Sequence, residues 1–117
     1  MSIDQLAKDF TKAVAEENAE GYQAYWSDDI VSLEPMQDSP MARVEGREAL
    51  LQKHAWWEAN AEVHSATTNG PYVFGNQFAV NYGMDVTMDG ERSQMQEVGV
   101  YTVENDKIVE ERFFYGQ

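Results

Sequence analysis

Residues 78–115 read FAVNYGMDVTMDGERSQMQEVGVYTVENDKIVEERFFY, and the alternation within them decides the architecture. Phe78, Val80, Tyr82, Met84, Val86 and Met88 are apolar at every even position, the period of a strand with one face against a core. Asp89-Gly90 follows as a hairpin signal, because the favoured two-residue turn needs positive φ at both central residues. A strand over 92–103 then turns through 104–107 into a last strand over 108–115. Upstream, 63–68 and 72–74 are strand-like and separated by Gly70-Pro71, which predicts a bulge or kink. Gly75-Asn76 returns the chain into Phe78.

The first sixty or so residues carry the helical period instead. Ser2 with Gln5 three residues on is a capping box, and Ile3, Leu6, Phe10, Ala13 and Val14 form one apolar stripe behind it. Asn18 predicts the cap of a short second helix with Tyr22, Tyr25 and Trp26, ended by Ser27-Asp28-Asp29. A strand over 30–34 stops at Pro35, and 36–45 reads as loop. Gly46 opens a third helix, 47 to about 60, with Leu50, His54, Trp57 and Ala61 on one side. Helices in the first half against a meander in the second predict an α+β domain, three helices packed on the concave face of a curved antiparallel sheet. The curl leaves a hollow between helices and sheet.

Composition narrows the function classes. The 117 residues fit one domain, 1–117, and 43% apolar content supplies a core without staples. There is no cysteine, so thiolate chemistry and disulfides are excluded. No apolar run nears the ~20 residues of a membrane helix, and the opening residues are amphipathic rather than signal-like, so the expected compartment is the cytoplasm. With 8 basic against 21 acidic side chains the formal charge is −13, which repels phosphate backbones. Neither nucleic acid nor membrane is an expected partner. Two histidines without His-Glu-x-x-His spacing predict no metal site, and the lack of a glycine-rich phosphate loop predicts no cofactor.

Three segments resemble a known family. Tyr25-Trp26-Ser27-Asp28-Asp29-Ile30-Val31 is similar to the Y-x-D-D-V first-strand start of SnoaL-like and ketosteroid-isomerase-like proteins. Val44 to Leu50 resembles their G-x-x-A-I helix entry, and Val103 to Val109 their D-G-K-I hairpin, with Asp106 in place of the glycine. Order and spacing agree over essentially the whole chain. The resemblance, to the SnoaL-like branch of the nuclear transport factor 2-like superfamily, implies a cone-shaped sheet around a pocket, usually in a homodimer. It leaves function open, because one fold hosts several chemistries and some members have none.

Glu34 falls, in this resemblance, where isomerase-like members keep a catalytic carboxylate; burial would raise its pKa and suit it to moving a carbon-bound proton. A solvated strand-end acid is the structural alternative. The isomerase's other two groups are replaced by Phe10 and Gly99, so steroid isomerisation is not expected. Cross-strand parity gives a substitute set: with Val103 opposite Ile108, Tyr101 faces Glu110, Gly99 faces Arg112 and Glu97 faces Phe114. In that register Arg112, held by Glu97, points inward to bind an anionic or enolate oxygen; an ordinary ion pair at the sheet's end is the alternative. His54 is a candidate acid or base, or a satisfied core histidine. The expected catalytic set is Glu34, His54, Arg112 and Tyr101, and the pocket lining Trp26, Trp57, Tyr82, Met84, Glu97 and Phe114. The expected ligand is a small hydrophobic molecule. Val109, Phe113 and Tyr115 would form an outer apolar face that covers itself in a homodimer. A cofactor-independent cyclase or isomerase, a ligand-binding module and a dimeric interaction domain all fit this pattern.

Overall fold

A computed structural model describes residues 2–36 and 39–115. The elements are α1 (Ile3–Ala15), α2 (Ala19–Gln23), β1 (Trp26–Leu33), β2 (Arg43–Glu45), α3 (Arg47–Asn60), β3 (Ala61–Phe74), β4 (Gln77–Met88), β5 (Glu91–Glu104) and β6 (Lys107–Phe114). Ser2 Oγ accepts from the Gln5 amide at 3.2 Å, and Asn18 Oδ1 from the Gly21 amide at 3.0 Å, so both helices start at the expected caps. Asp89 and Gly90 both take positive φ, 53° and 78°, as the tight β4–β5 turn requires.

Three local expectations change. The second helix ends at Gln23, and its aromatic tail is used otherwise: Trp26 already begins β1. The expected loop over 36–45 contains β2, which pairs antiparallel with β1; Gln37 and Asp38 of that loop lie outside the described residues. The sheet is mixed and open, in the order β2-β1-β6-β5-β4-β3, because β1 and β6 run parallel where an all-antiparallel sheet was expected. Leu6, Ala7 and Phe10 of α1 and Leu50 of α3 pack on Trp26, Ile30, Phe78, Val80, Tyr101 and Ile108, which forms the closed end of the cone.

The largest correction is one of register. Val103 does face Ile108, but Thr102 then pairs with Glu110, which makes Val109 an extra residue on β6. Beyond this bulge Tyr101 faces Glu111, Val100 faces Arg112, Gly99 faces Phe113 and Val98 faces Phe114. A one-residue slip turns every following side chain to the other face. Glu111 and Phe113 therefore point inward, and Arg112 and Phe114 outward. Arg112 has a side-chain exposure of 54% and pairs with Glu110 at 3.2 Å, and Phe114 is 50% exposed. Neither belongs to the concave face. The outer apolar strip is also recomposed: Phe113 leaves it, and exposed Phe114 beside Val98 joins exposed Tyr72 and Phe74 of β3.

Candidate active site

The inner side of the sheet collects charge where β1, β6 and α3 meet. Ser32 and Glu111 are direct partners across the parallel β1–β6 pair, and Ser32 Oγ donates to Glu111 Oε2 at 2.7 Å. Lys53 lies one helical turn after Leu50, so the same face that anchors α3 in the core aims its ammonium at β1. Its Nζ donates to Ser32 Oγ at 2.9 Å and to Glu34 Oε2 at 2.7 Å. The Lys53 and Glu34 side chains are only 14% and 12% exposed, so this ion pair is held largely out of water. The ammonium also lies 5.7 Å from the Phe113 ring centroid.

A third carboxylate reaches this neighbourhood from β5. Glu97 stands directly opposite Tyr82 of β4, and both point inward. Burial, and then the negative charge of Glu34, push its carboxyl up to about 7, against the pull of Lys53. Glu111 is also pushed up to about 7, mainly by burial, with the Ser32 hydrogen bond and Lys53 opposing. One ammonium cannot balance three carboxylates, and protonation relieves the rest. Among the described residues none hydrogen-bonds to Glu97. An open groove of about 490 Å³ is lined by Gln94, Met95, Gln96 and Tyr115; Glu97, the next residue along β5, is not part of its lining. The Tyr115 phenol lies against the Glu34 carboxylate and is pushed up to about 12 by burial and that charge.

Tyr82 and Tyr101 complete the inner face, with hydroxyls 2.6 Å apart. Tyr101 is 3% exposed, its ring centroid 4.9 Å from those of Phe10 and Phe78. Gly99 makes room for it: a Cβ there would sit 2.8 Å from the Tyr101 hydroxyl oxygen. The space beside Gly99 is filled by Tyr101 and Phe113 rather than by Arg112, the cross-strand neighbour expected from sequence.

The expected residues thus divide. Glu34, Glu97, Tyr82 and Tyr101 share the concave face, and Met84 faces Met95 there. His54 instead packs against the rings of Tyr22 and Trp26, at centroid distances of 6.0 and 5.1 Å. Burial, and then Lys53, lower its pKa to about 4, so it is neutral near pH 7. Trp26 is core rather than lining, and its indole nitrogen is buried without a hydrogen-bond partner among the described residues. Trp57 is half-buried on α3. Sequence reasoning gave no site role to Lys53, Ser32 or Glu111, and it placed Tyr115 on the outer apolar face, whereas the one-residue slip in β6 turns Tyr115 inward against Glu34. Lys53 was findable, three residues from Leu50 on the face already singled out. Among the described residues no His, Asp or Glu group is placed to hold a metal, and no helix is long and apolar enough to cross a membrane.

Comparison with known proteins agrees with this geometry at the level of fold and family. The SnoaL-like domain model matches residues 1–115. A protein from Mesorhizobium loti, described as a candidate SnoaL-like polyketide cyclase and also labelled carbohydrate phosphatase, is 49% identical in sequence. Its structure superposes with a TM-score of 0.93, over 98% of this chain and 100% of that one. A nuclear transport factor 2-like protein of unknown function from Burkholderia pseudomallei (17% identity, TM-score 0.79, 99% and 92% coverage) shares the fold. So does an epoxide hydrolase from M. tuberculosis (15% identity, TM-score 0.67, 96% and 80% coverage). No curated protein matches the chain.

Proposed function

We propose that this chain, which belongs to the SnoaL-like domain family, is a cofactor-independent proton-transfer enzyme for a small hydrophobic or aromatic molecule, of polyketide cyclase or isomerase type. The observation that carries the reading is Glu97: an inward carboxyl, poised at about 7, that no described residue holds by a hydrogen bond. A base with that pKa accepts a proton from a carbon next to a carbonyl and, as the resulting acid, returns it to another carbon. Glu34, tied to Lys53, acts here through its charge, which raises the basicity of Glu97. The base assigned from sequence to Glu34 is thereby moved to its neighbour. The alternative is a ligand-binding or interaction module on the same fold. We place either in the cytoplasm, as a homodimer joined through Tyr72, Phe74 and Phe114 on the outer sheet face.

The test uses 2-tetralone, a flat ketone with acidic carbon-bound hydrogens, in D2O. Deuterium uptake followed by proton NMR should be faster with the protein than in buffer and should rise with pD through the neutral range. Glu97→Gln should slow it by roughly 10²-fold or more. Uptake at the buffer rate, or equal uptake by wild type and Glu97→Gln, favours the non-catalytic module.

A further inference from the structure

We propose that the unpaired edge of β5 over 91–96 is a binding site for an extended peptide segment bearing Lys or Arg, which adds there as a further strand. The inference does not depend on the proton-transfer reading. β5 pairs with β4 without a register break from Thr102 to Glu91, whereas its pairing with β6 stops where Val98 faces Phe114. Besides the β4 ladder, no backbone hydrogen bond among the described residues reaches 91–96. In an extended strand every second residue turns its N–H and C=O to the same side, so about three of these residues present unused backbone groups. Glu91, Arg92, Ser93, Gln94 and Gln96 are exposed, so this row is open to a partner.

The two outermost strands of the sheet are poor templates by comparison. β2 is only three residues long. β3 shifts register between Val63 and Ser65 and again between Asn69 and Tyr72, and it contains Pro71, which has no N–H to donate. Short length, bulges and proline are ordinary protections of a sheet edge. The 91–96 stretch has none of them. Its one cation, Arg92, is drawn toward β4, where both carboxylate oxygens of Asp85 accept from it at 3.0 and 2.8 Å.

Shape and charge select the occupant. The groove of about 490 Å³ lined by Gln94, Met95, Gln96 and Tyr115 lies at this edge and leaves room for the side chains of an added strand. Ser93 and Met95 face the concave side, opposite Val86 and Met84, and Gln94 and Gln96 face the other. A segment with apolar and polar residues in alternation matches both sides at once. Glu91 stands at the far end of the edge, with Asp89 in the adjoining turn, and the chain as a whole carries −13. Because Asp85 engages Arg92, the acids there favour a segment that ends in Lys or Arg. A second copy of the chain fits less well. In antiparallel self-pairing centred on Gln94, Glu91 falls opposite Glu97 of the other copy, and like charges directly opposite are destabilising.

The test uses acetyl-Thr-Val-Thr-Val-Thr-Lys-Lys-amide and its twin ending in Glu-Glu, each titrated at pH 7 into nitrogen-15-labelled protein. The lysine peptide should bind saturably below about 1 mM, slow hydrogen exchange at alternate amides within 91–96 and leave the β3 edge unchanged. The glutamate twin should bind roughly tenfold more weakly, since exposed charge pairs change sign, and Glu91→Lys should reduce that preference. N-methylation of either the valines or the threonines examines the ladder itself. One set should abolish binding and the other be tolerated, because only one edge of the peptide pairs with β5. No saturable binding, equal affinity for the two peptides, an equal response to the two N-methylated sets, or protection at β3 in place of β5 would overturn the inference. Protection of 91–96 that grows with protein concentration in the absence of peptide would overturn it too, by assigning the edge to a second copy.

Discussion

Lys53 is the side chain on which the polar end of the concave face depends. Replacing it by Met leaves Glu34 buried without its ion-pair partner, for which the expected loss is about 3–5 kcal/mol. Lys53→Met together with Glu34→Gln should recover much of that, since an amide is less costly to bury than a charge. Chemical denaturation of the single and double variants measures both. The raised carboxyls make a pH prediction of definite sign. Glu97 and Glu111 titrate near 7 in the folded chain but near 4.5 when unfolded, so the folded state binds more protons between these values. Their effect is full stability below about pH 4.5, lost as pH rises toward 7. His54, lowered from 6.5 to about 4, works oppositely and loses stability as pH falls through that window. Two groups against one leave a shallow net decline. Glu97→Gln should therefore raise the melting temperature at pH 8, by an amount corresponding to roughly 1–3 kcal/mol, and leave it unchanged near pH 4.5. A variant that melts with wild type at both values would contradict the raised Glu97 pKa.

At the level of the element, the bulge at Val109 decides what the last strand contributes. Parity reasoning failed there for a visible reason: Ile108-Val109, Glu110-Glu111 and Phe113-Phe114 are doublets of like residues. Either register puts one of each pair inside, so alternation cannot choose, and a bulge leaves no other mark in this stretch. β4, with single apolar residues at alternate positions, has no such degeneracy, and its inward set is legible throughout. Glu34 and Glu97 were each placed in the pocket from sequence, but Glu97 as the partner of Arg112 rather than as a neighbour of Glu34, whereas Glu111 depends on the bulge and was not singled out. Gly99 gives the element-scale test. Gly99→Ala places a methyl 2.8 Å from the Tyr101 hydroxyl and 3.1 Å from the Phe113 ring, neither free to retreat. The expected destabilisation is about 1–3 kcal/mol by denaturant titration. Adding Tyr101→Phe, which removes the clashing oxygen, should reduce it.

Across the whole molecule, the cone follows from a sheet that runs from short β2 to long β3 and β4, with α1 packed against β3 and β4 and α3 against β1 and β2. The helical half followed by a meander made that arrangement legible. The parallel β1–β6 pair was not, because adjacency of first and last strands depends on how the sheet curls rather than on any local pattern. The outer face leaves Tyr72, Phe74 and Phe114 exposed, at 53%, 49% and 50%. The proposed homodimer would cover them, and light scattering at micromolar concentration should give twice 13.3 kDa. Phe114→Glu should shift the protein toward monomer without lowering monomer helicity by circular dichroism. Everything proposed for the interior turns on one carboxyl that changes protonation near neutrality. Carbon-13 NMR of side-chain-labelled glutamate, with Glu97→Gln to assign its resonance, follows that carboxyl directly as pH is varied. The account predicts a Glu97 midpoint near 7, moved downward in a Glu34→Gln variant that removes the neighbouring charge; a midpoint near 4.5 in both proteins would contradict it.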